Sequence, residues 1–441
     1  MPTPADIEYA LRARRGAASR QELQRDLGIS QPTASRLLAP LIADGRILRV
    51  GAGKHQIYLL PQYIGDVGAS IPVTRIDAEG RPSRFATLIP LAGGRFCVER
   101  ISQPPAIFEG LPWFISDMRP QGFLGRMFSK SYPSLNLEQS PNHWNDADTL
   151  RAISLFGNDL PGNLIVGGDA LNRHLHQPQP EITTRGKYSM CADRAMQGDA
   201  PGSSAGGEQP KFCMRRDDGA HLIVKFSPTG DAPVARRWRD LLVCEHLALE
   251  TLRNAGELAA NSSLHIADRV YLEVERFDRT ANGRIGMVSL HAFDAEFIGQ
   301  EDRWSRTAVR MRERGLMETS SITRLLLLEA FASLIANSDR HYGNASLLRA
   351  QAEWHLAPAY DMLPMFYAPT AQGVPENGFD LSGVHPTAET LDVWARASEL
   401  AANFWRAACG DARISPVFRK RLKTDSAVWL QWLESSVAPT A

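Results

Sequence analysis

Leu334-Ile335-Ala336-Asn337-Ser338-Asp339-Arg340-His341-Tyr342-Gly343-Asn344 is the stretch on which the reading of this chain turns. The apolar residues before it predict a helix running in, and Ala345 to Leu348 predict a short strand running out. Between them stand an aspartate and, a few positions on, an asparagine. Such a loop can hold a carboxylate toward a hydroxyl while an amide oxygen points at a metal, the division of labour used in phosphoryl transfer. A polar loop that merely ends a helix has the same look, so the assignment depends on what flanks it.

Downstream, Trp354-His355-Leu356-Ala357-Pro358-Ala359-Tyr360-Asp361-Met362 reads as a strand ending near Pro358 and delivering a second carboxylate, Asp361. Two carboxylates and an amide at this spacing suit magnesium, which takes few protein ligands and completes its shell with water and substrate phosphates. Upstream, Lys211 to Met214 and His221 to Phe226 are strand-like runs joined by an Asp217-Asp218-Gly219 turn. Lys225 lies in the second, strongly apolar run, where an ammonium needs an anionic partner to offset its desolvation. An edge-strand lysine pointing to water is the alternative. Before these strands, residues 198–210 are rich in Gly, Ser and Ala. The composition fits a flexible linker; it also fits a loop whose unhindered N–H groups approach phosphate oxygens. Neither a Walker loop nor a strict G-x-G-x-x-G is present. A helix over about 235–253 carries Glu245 and Glu250, and an extended run over 269–279 leads into a largely helical second half, where the helix near 322–335 is apolar on most sides and therefore buried.

The first sixty residues read as a separate unit. Ile7, Ala10 and Leu11 give an amphipathic first helix, Arg20 to Leu27 a second, broken by Gly28, and Ser30 caps a third in which Pro32 is tolerated in the first turn. Helix, glycine-containing turn, helix is the helix-turn-helix arrangement. Ile47 to Val50 and Gln56 to Leu59 flank a glycine tip, Gly51-Ala52-Gly53-Lys54, as a hairpin wing. Gln31, Thr33, Ser35 and Arg36 then occupy the start of the recognition helix, where side chains reach base edges, and Arg46, Arg49 and Lys54 are placed to meet phosphates. Residues 1–60 hold nine Lys/Arg against five Asp/Glu, a local excess in a chain of zero net charge. Winged helices also serve as dimerisation or docking modules.

The remaining composition narrows the classes. With 441 residues, 44% hydrophobic and 22% charged, the chain has room for two or three domains with cores of their own. No run approaches the length of a membrane span, and Met1 to Arg15 lacks an apolar signal core, so a cytoplasmic location is expected. Five cysteines without a C-x-x-C pair fit reduced thiols and give no zinc site. Residues 63–200 read as scaffold: β-like runs over 72–76 and 95–99, a Pro-, Trp- and Phe-rich patch around Trp113, and a His174/His176 pair on an extended segment expected at the surface.

Taken together, Ser204-Ala205-Gly206-Gly207-Glu208-Gln209-Pro210-Lys211, Ile223-Val224-Lys225-Phe226, Val274-Glu275-Arg276-Phe277-Asp278-Arg279, the opening stretch from Asn337 to Asn344, and Leu356-Ala357-Pro358-Ala359-Tyr360-Asp361 resemble, in family order, the HipA family of serine/threonine-kinase toxins of bacterial toxin–antitoxin systems. Gly157-Asn158-Asp159-Leu160-Pro161-Gly162 and Trp113-Phe114 with Arg119-Pro120-Gln121-Gly122 resemble its N-terminal region more loosely. The resemblance implies ATP and Mg2+ as cofactors, Asp339 as catalytic base, Asn344 and Asp361 as magnesium ligands, and Lys225 on the ATP phosphates. It further implies backbone contacts from Glu275 and Phe277 to adenine, with His341 and Tyr360 lining the site. Ser204, Ala205, Gly206 and Gly207 would form the glycine loop, with Ser204 the autophosphorylated serine whose modification moves the loop out. Glu208 departs from the small apolar residue usual there. The winged helix fused at the N-terminus resembles the single-chain YjjJ (HipH) type. A protein substrate such as a translation factor or aminoacyl-tRNA synthetase, an antitoxin, and DNA are the partners so implied, with no membrane.

The expected fold is α+β: a winged helix-turn-helix over 1–62, a mixed β-rich lobe with the ATP loop over 63–280, and a mainly helical catalytic lobe over 281–441. Three rivals stay open. A small-molecule kinase shares such loops; a catalytically dead kinase fold could serve as a transcription regulator; a nuclease could use Asp339 and Asp361 for metal.

Overall fold

The structure, a computed structural model, describes residues 2–176, 180, 182–197, 209–350 and 353–437. The N-terminal unit comprises α1 (Pro4–Ala13), β1 (Ala17–Ser19), α2 (Arg20–Leu27), α3 (Gln31–Ala43), β2 (Leu48–Val50) and β3 (Ile57–Leu59). Ser19 starts α2 through a reciprocal capping box with Glu22, and Gly28 ends it at φ 61°, a left-handed conformation that glycine adopts without penalty. Ile7, Leu11, Leu23, Leu37, Leu38 and Leu41 converge on one core, which is why these short helices hold together. The strand β1, between α1 and α2, was not legible in the sequence; it pairs with β3 and completes a three-stranded sheet in the order β1-β3-β2.

This unit is packed onto a second sheet. β4 (Ile71–Ile76), β5 (Pro82–Leu91), β6 (Arg95–Glu99) and β7 (Ala106–Glu109) form an antiparallel meander, followed by α4 (Trp113–Ser116), α5 (Gly122–Ser131), α6 (Asp146–Phe156), β8 (Leu164–Val166) and α7 (Gly168–His176). β8 returns to pair with β4, giving the order β7-β6-β5-β4-β8. Val50 and Leu59 from the first sheet share a buried cluster with Ile89, Leu91 and Cys97 from the second, so the two units are joined by apolar contact rather than by a linker alone. His174 and His176 end α7 and are not on an extended segment. His174 faces inward, its Nδ1 3.1 Å from the Arg284 guanidinium, and burial, reinforced by Arg284, pushes its pKa down to about 4.

After α8 (Tyr188–Gln197) come β9 (Lys211–Arg215), β10 (His221–Phe226), α9 (Pro233–Asn254), β11 (Ser262–Ile266) and β12 (Val270–Glu275), whose strands form a sheet in the order β11-β12-β10-β9. Alternation along β9 and β10 separates two jobs. Phe212, Met214, Leu222, Val224 and Phe226 pack with α5 and α8, while Lys211, Ile223 and Lys225 face a cleft on the other side. β13 (Gly286–Ser289), α10 (Leu290–Phe297), α11 (Trp304–Glu313), α12 (Thr319–Leu334), β14 (Ser346–Ala350), β15 (Glu353–Leu356), α13 (Leu391–Gly410) and α14 (Pro416–Val437) build the last part. The largest core runs through α9, α12 and α13, and α12 is buried on most sides, as its sequence requires. No helix among the described residues is long and apolar enough to cross a membrane.

Candidate active site

Two adjoining clefts meet at Lys211, Lys225 and Asp361. The narrower one lies between Pro161, Ile223, Val274 to Asp278, Met287 and Tyr360. The wider one, about 1340 Å³, opens past Gln121, Asn142, Gln209 and Trp238 to Glu245, Asp339 and His341. An apolar slot leading into a polar, charged basin suits a flat base followed by phosphates.

Lys225 is at the centre. Its strand is interior to the sheet, it is 7% exposed, and the edge-strand alternative is therefore excluded. Nζ donates to Glu245 Oε1 at 2.5 Å and to Asp361 Oδ1. Burial opposes charge on the ammonium, but the two carboxylates outweigh it and raise its pKa. Burial also pushes Asp361 up, yet Lys225 and Lys211 prevail and hold it below the ordinary carboxylate value; for Glu245 burial wins and its pKa is raised. Lys211 stands directly across from Lys225 in the antiparallel register, and is itself buried. Like charges directly opposite each other on a sheet destabilise it unless anions lie between them. Lys211 and Glu245 were not among the site residues expected from sequence. The periodicity that put Lys225 on the cleft face puts Lys211 there too, and Glu245 was readable only as a charge on an apolar helix.

The loop after α12 is held by its own polar side chains. Ala336 turns the chain at φ 59° and Asp361 adopts φ 54°, both unusual for residues other than glycine. Asn337 Oδ1 accepts the Asp339 N–H at 3.0 Å, and Asn337 Nδ2 donates to the Asp361 carbonyl at 3.3 Å, tying the two acidic positions together. Asn344 Nδ2 donates to the Asp339 carbonyl at 2.8 Å. The backbone of Asp339 is thus pinned at both ends while its carboxylate, 48% exposed, stands in the wide cleft with His341 Nε2 at 3.8 Å. Tyr360 donates to the Gly343 carbonyl at 2.7 Å, and its ring lies 5.6 Å from Phe277, forming one wall of the narrow cleft.

A magnesium ion fits this donor set. Among the described residues no group of three or more His, Cys, Asp or Glu side chains could cage a metal alone. Asp361 engages Lys225 through one oxygen only and lines both clefts, whereas Asn344 is buried, donates its amide to the Asp339 carbonyl and is not among the residues that line either cleft. Two protein oxygens with substrate phosphates and water match the ion's preference.

The narrow cleft has a wall from far upstream. Arg276 and Arg279 both reach Asp159, at 3.0 and 2.8 Å, and both pair with Asp278. Asp278 accepts the Gly162 N–H at 2.9 Å, and Arg279 donates to the Leu160 carbonyl at 2.8 Å. Although burial opposes ionisation, the arginines hold Asp159 down at about 2. This lattice fastens the Asp159–Gly162 turn, and hence Pro161, against the segment after β12. Of the residues expected to meet adenine, Glu275 and Phe277 do line the cleft. The Glu275 N–H is already taken by the Asn261 carbonyl at 2.9 Å, so a base contact from Glu275 would use its carbonyl. Ser204, Ala205, Gly206, Gly207 and Glu208 lie outside the described residues.

In the N-terminal unit, Gln31, Ser35, Arg36 and Lys54 are exposed and Thr33 is half-buried. Arg46, 56% exposed, lies 2.6 Å from Glu8 of the same unit.

Comparison with known proteins bears on the class of this site. Residues 203–417 match the family described as HipA-like C-terminal domain, and residues 67–175 match YjjJ-like toxin, middle domain. The chain is 36% identical over 422 residues to Toxin YjjJ of Escherichia coli (strain K12), covering 92% of this chain and 93% of that one. The chain belongs to the HipA family of toxins, in its YjjJ-like branch. Among solved structures it is similar to HipA in the Shewanella oneidensis MR-1 toxin–antitoxin complex of HipA, HipB and operator DNA, with a TM-score of 0.52 at 14% identity over 82% of this chain and 97% of that one.

Proposed function

We propose that this toxin is an ATP- and magnesium-dependent serine/threonine protein kinase that phosphorylates itself and a protein target, and that its N-terminal unit is a winged helix-turn-helix that binds DNA. The observation that carries the kinase reading is the meeting of Lys225, Glu245 and Asp361 where a base-sized slot opens into the basin holding Asp339. Lys225 and Lys211 bind the phosphate oxygens of the nucleotide, and Glu245 keeps Lys225 aimed at them. Asp361 and Asn344 would hold magnesium, which would supply charge neutralisation on the transferring group. Asp339 accepts the proton of a seryl or threonyl hydroxyl as its oxygen bonds to the γ-phosphorus and the bond to the bridging oxygen of ADP breaks. Glu275 and Phe277 meet the base through backbone atoms, with Tyr360 and His341 lining the site. Ser204, in the glycine loop with Ala205, Gly206 and Gly207, is the residue it modifies on itself.

For the N-terminal unit, support comes from the exposed Gln31, Ser35 and Arg36 on α3, following a glycine turn, and from Lys54 on the hairpin tip. An antitoxin partner is proposed by analogy with the Shewanella complex, and a cytoplasmic location follows from such partners.

Mass spectrometry of the purified chain, incubated with ATP, magnesium and cell extract, tests the kinase reading. Phosphoserine or phosphothreonine is expected on the chain and on at least one extract protein. ATP consumption without any protein phosphosite would instead indicate a small-molecule kinase, and no consumption a dead fold.

A further inference from the structure

Beside the wide cleft lies a further groove, reached across the loop that carries Asp339. Ser338 lines both. Asp339 lines the wide cleft and Arg340 the groove, so consecutive residues of one loop are shared out between the two openings. Ser338 and Arg340 are exposed, which leaves this boundary open to solvent. A polypeptide crossing it at Ser338 would bring a hydroxyl to Asp339 while its flanking residues lay in the groove.

The groove has an apolar side and a cationic one. Phe379, Val384 and Trp394, each half-buried, make the first; Arg303 and Arg340 contribute the second. Arg303 is engaged, 3.8 Å from Glu389. Arg340 donates to the Asn337 carbonyl and has no ion pair among the described residues. The carboxylate among the lining residues is Glu329, 8% exposed, which accepts the Ser305 N–H. A guanidinium fork with donors to spare, beside an aromatic and aliphatic patch, suits an acidic side chain with an apolar one near it.

This groove is fixed relative to Asp339. Asn337 gives its carbonyl to Arg340 and its side-chain oxygen to the Asp339 N–H, so one buried residue sets both the cation and the carboxylate. Trp304, next to Arg303, donates from Nε1 to the His341 carbonyl at 3.3 Å, and the Tyr342 hydroxyl accepts the Asp302 N–H at 3.0 Å. The start of α11 is thereby fastened to the same loop.

We propose that this groove binds the segment of the protein target that flanks the phosphorylated serine or threonine, with Arg340 selecting an acidic residue and the Phe379, Val384 and Trp394 patch an apolar one. This rests on the protein-kinase reading of the adjoining cleft, and it names the class of sequence that cleft accepts. An extended chain advances about 3.3 Å per residue, so a guanidinium one residue past Asp339 meets a side chain close to the acceptor hydroxyl. Arg340 acts on the choice of target, not on the transfer step.

The test incubates the full-length wild type, ATP and magnesium with a dephosphorylated proteolytic digest of cell extract and reads phosphosites by mass spectrometry. Sites should be enriched in Asp or Glu at one position within about three residues of the acceptor. Arg340→Gln should lower kcat/KM about tenfold for the best such peptide, and leave it nearly unchanged for the same peptide with its acid replaced by Gln. Arg340→Glu should turn the preference at that position to Lys or Arg, a reversal that a damaged loop would not produce. Val384→Asp should erase the apolar preference and keep the acidic one. A wild type without acidic enrichment overturns the proposal, as does a preference that Arg340→Glu leaves unchanged. If both Arg340 variants are inactive on every peptide, Val384→Asp decides, and an apolar preference that survives it overturns the proposal. Phosphorylation of the chain itself without any peptide overturns it too, and so does a loss confined to self-phosphorylation, which would give the groove to the chain's own segment. Transfer to nothing at all, neither chain, peptide nor extract protein, brings down the kinase reading and this inference with it.

Discussion

At Lys225 the sequence places an ammonium in a strand whose opposite face is wholly apolar, and the fold answers with two carboxylates from α9 and from the turn after β15. The sign of each contribution differs. Lys225, with its pKa raised, contributes stability fully present below about pH 10.4 and lost as pH rises through its folded value. Asp361, held low, contributes stability present above about pH 3.9 and lost as pH falls through its folded value. Glu245, pushed up by burial, opposes folding at neutral pH and recovers as the medium is acidified. Lys225→Met leaves two buried carboxylates without their hydrogen-bonded cation and with Lys211 alone nearby, and urea denaturation at pH 7 should show a loss of about 3 kcal/mol. That loss should shrink toward pH 5, where the carboxylates take up protons. Glu245→Gln keeps a hydrogen-bond acceptor for Lys225, so it should cost less stability while lowering the rate of transfer through a misdirected lysine. A titration of stability against pH for the two variants separates these effects.

Between elements, the lattice of Asp159, Arg276, Asp278 and Arg279 determines whether the narrow cleft, proposed to take the nucleotide, has its Pro161 wall. Asp159→Asn leaves two buried guanidinium groups short of an anion and should cost about 3 kcal/mol. Because Pro161 lines only the narrow cleft, affinity for a fluorescent ATP analogue should also drop, and an unchanged affinity would separate the lattice from the site. His174 and His221, each half-buried and each held near 4, stay neutral in the fold but charge in the unfolded chain near 6.5. Stability should therefore fall as pH drops from about 6.5 toward 4, and a His174→Asn chain, which keeps an acceptor for Arg284, should show a smaller fall in thermal midpoint. How much was legible follows physical lines. Strands with strict alternation, capped helices and the buried α12 announced themselves, and Lys225, Asp339 and Asp361, singled out from the sequence, do line one cleft. β1, β5 and β8 did not, because a three-residue strand carries no period and β5 (Pro82–Leu91) starts exposed and ends buried. Lys211 and Glu245 depend on cross-strand register and on which face of α9 meets the sheet, neither of which a linear pattern contains. The ion lattice joins positions more than a hundred residues apart.

For the whole molecule, the N-terminal unit and the second sheet share one apolar cluster, Val50 and Leu59 against Ile89, Leu91 and Cys97. Removing residues 1–62 should expose that face, so the shortened chain should bind a hydrophobic dye and self-associate, in contrast to the full chain. The same junction means that anything gripping the N-terminal unit acts on a body continuous with the second sheet. All of this rests on one claim, that Asp339 faces a nucleotide held by Lys225 and Asp361 and receives the proton of a hydroxyl. Transfer of label from γ-labelled ATP, measured side by side for wild type and Asp339→Asn after phosphatase treatment to free Ser204, tests it most directly. Incorporation by the wild type and a loss of about 100-fold or more in the variant is the predicted result; equal incorporation by both, or none by the wild type, would contradict it.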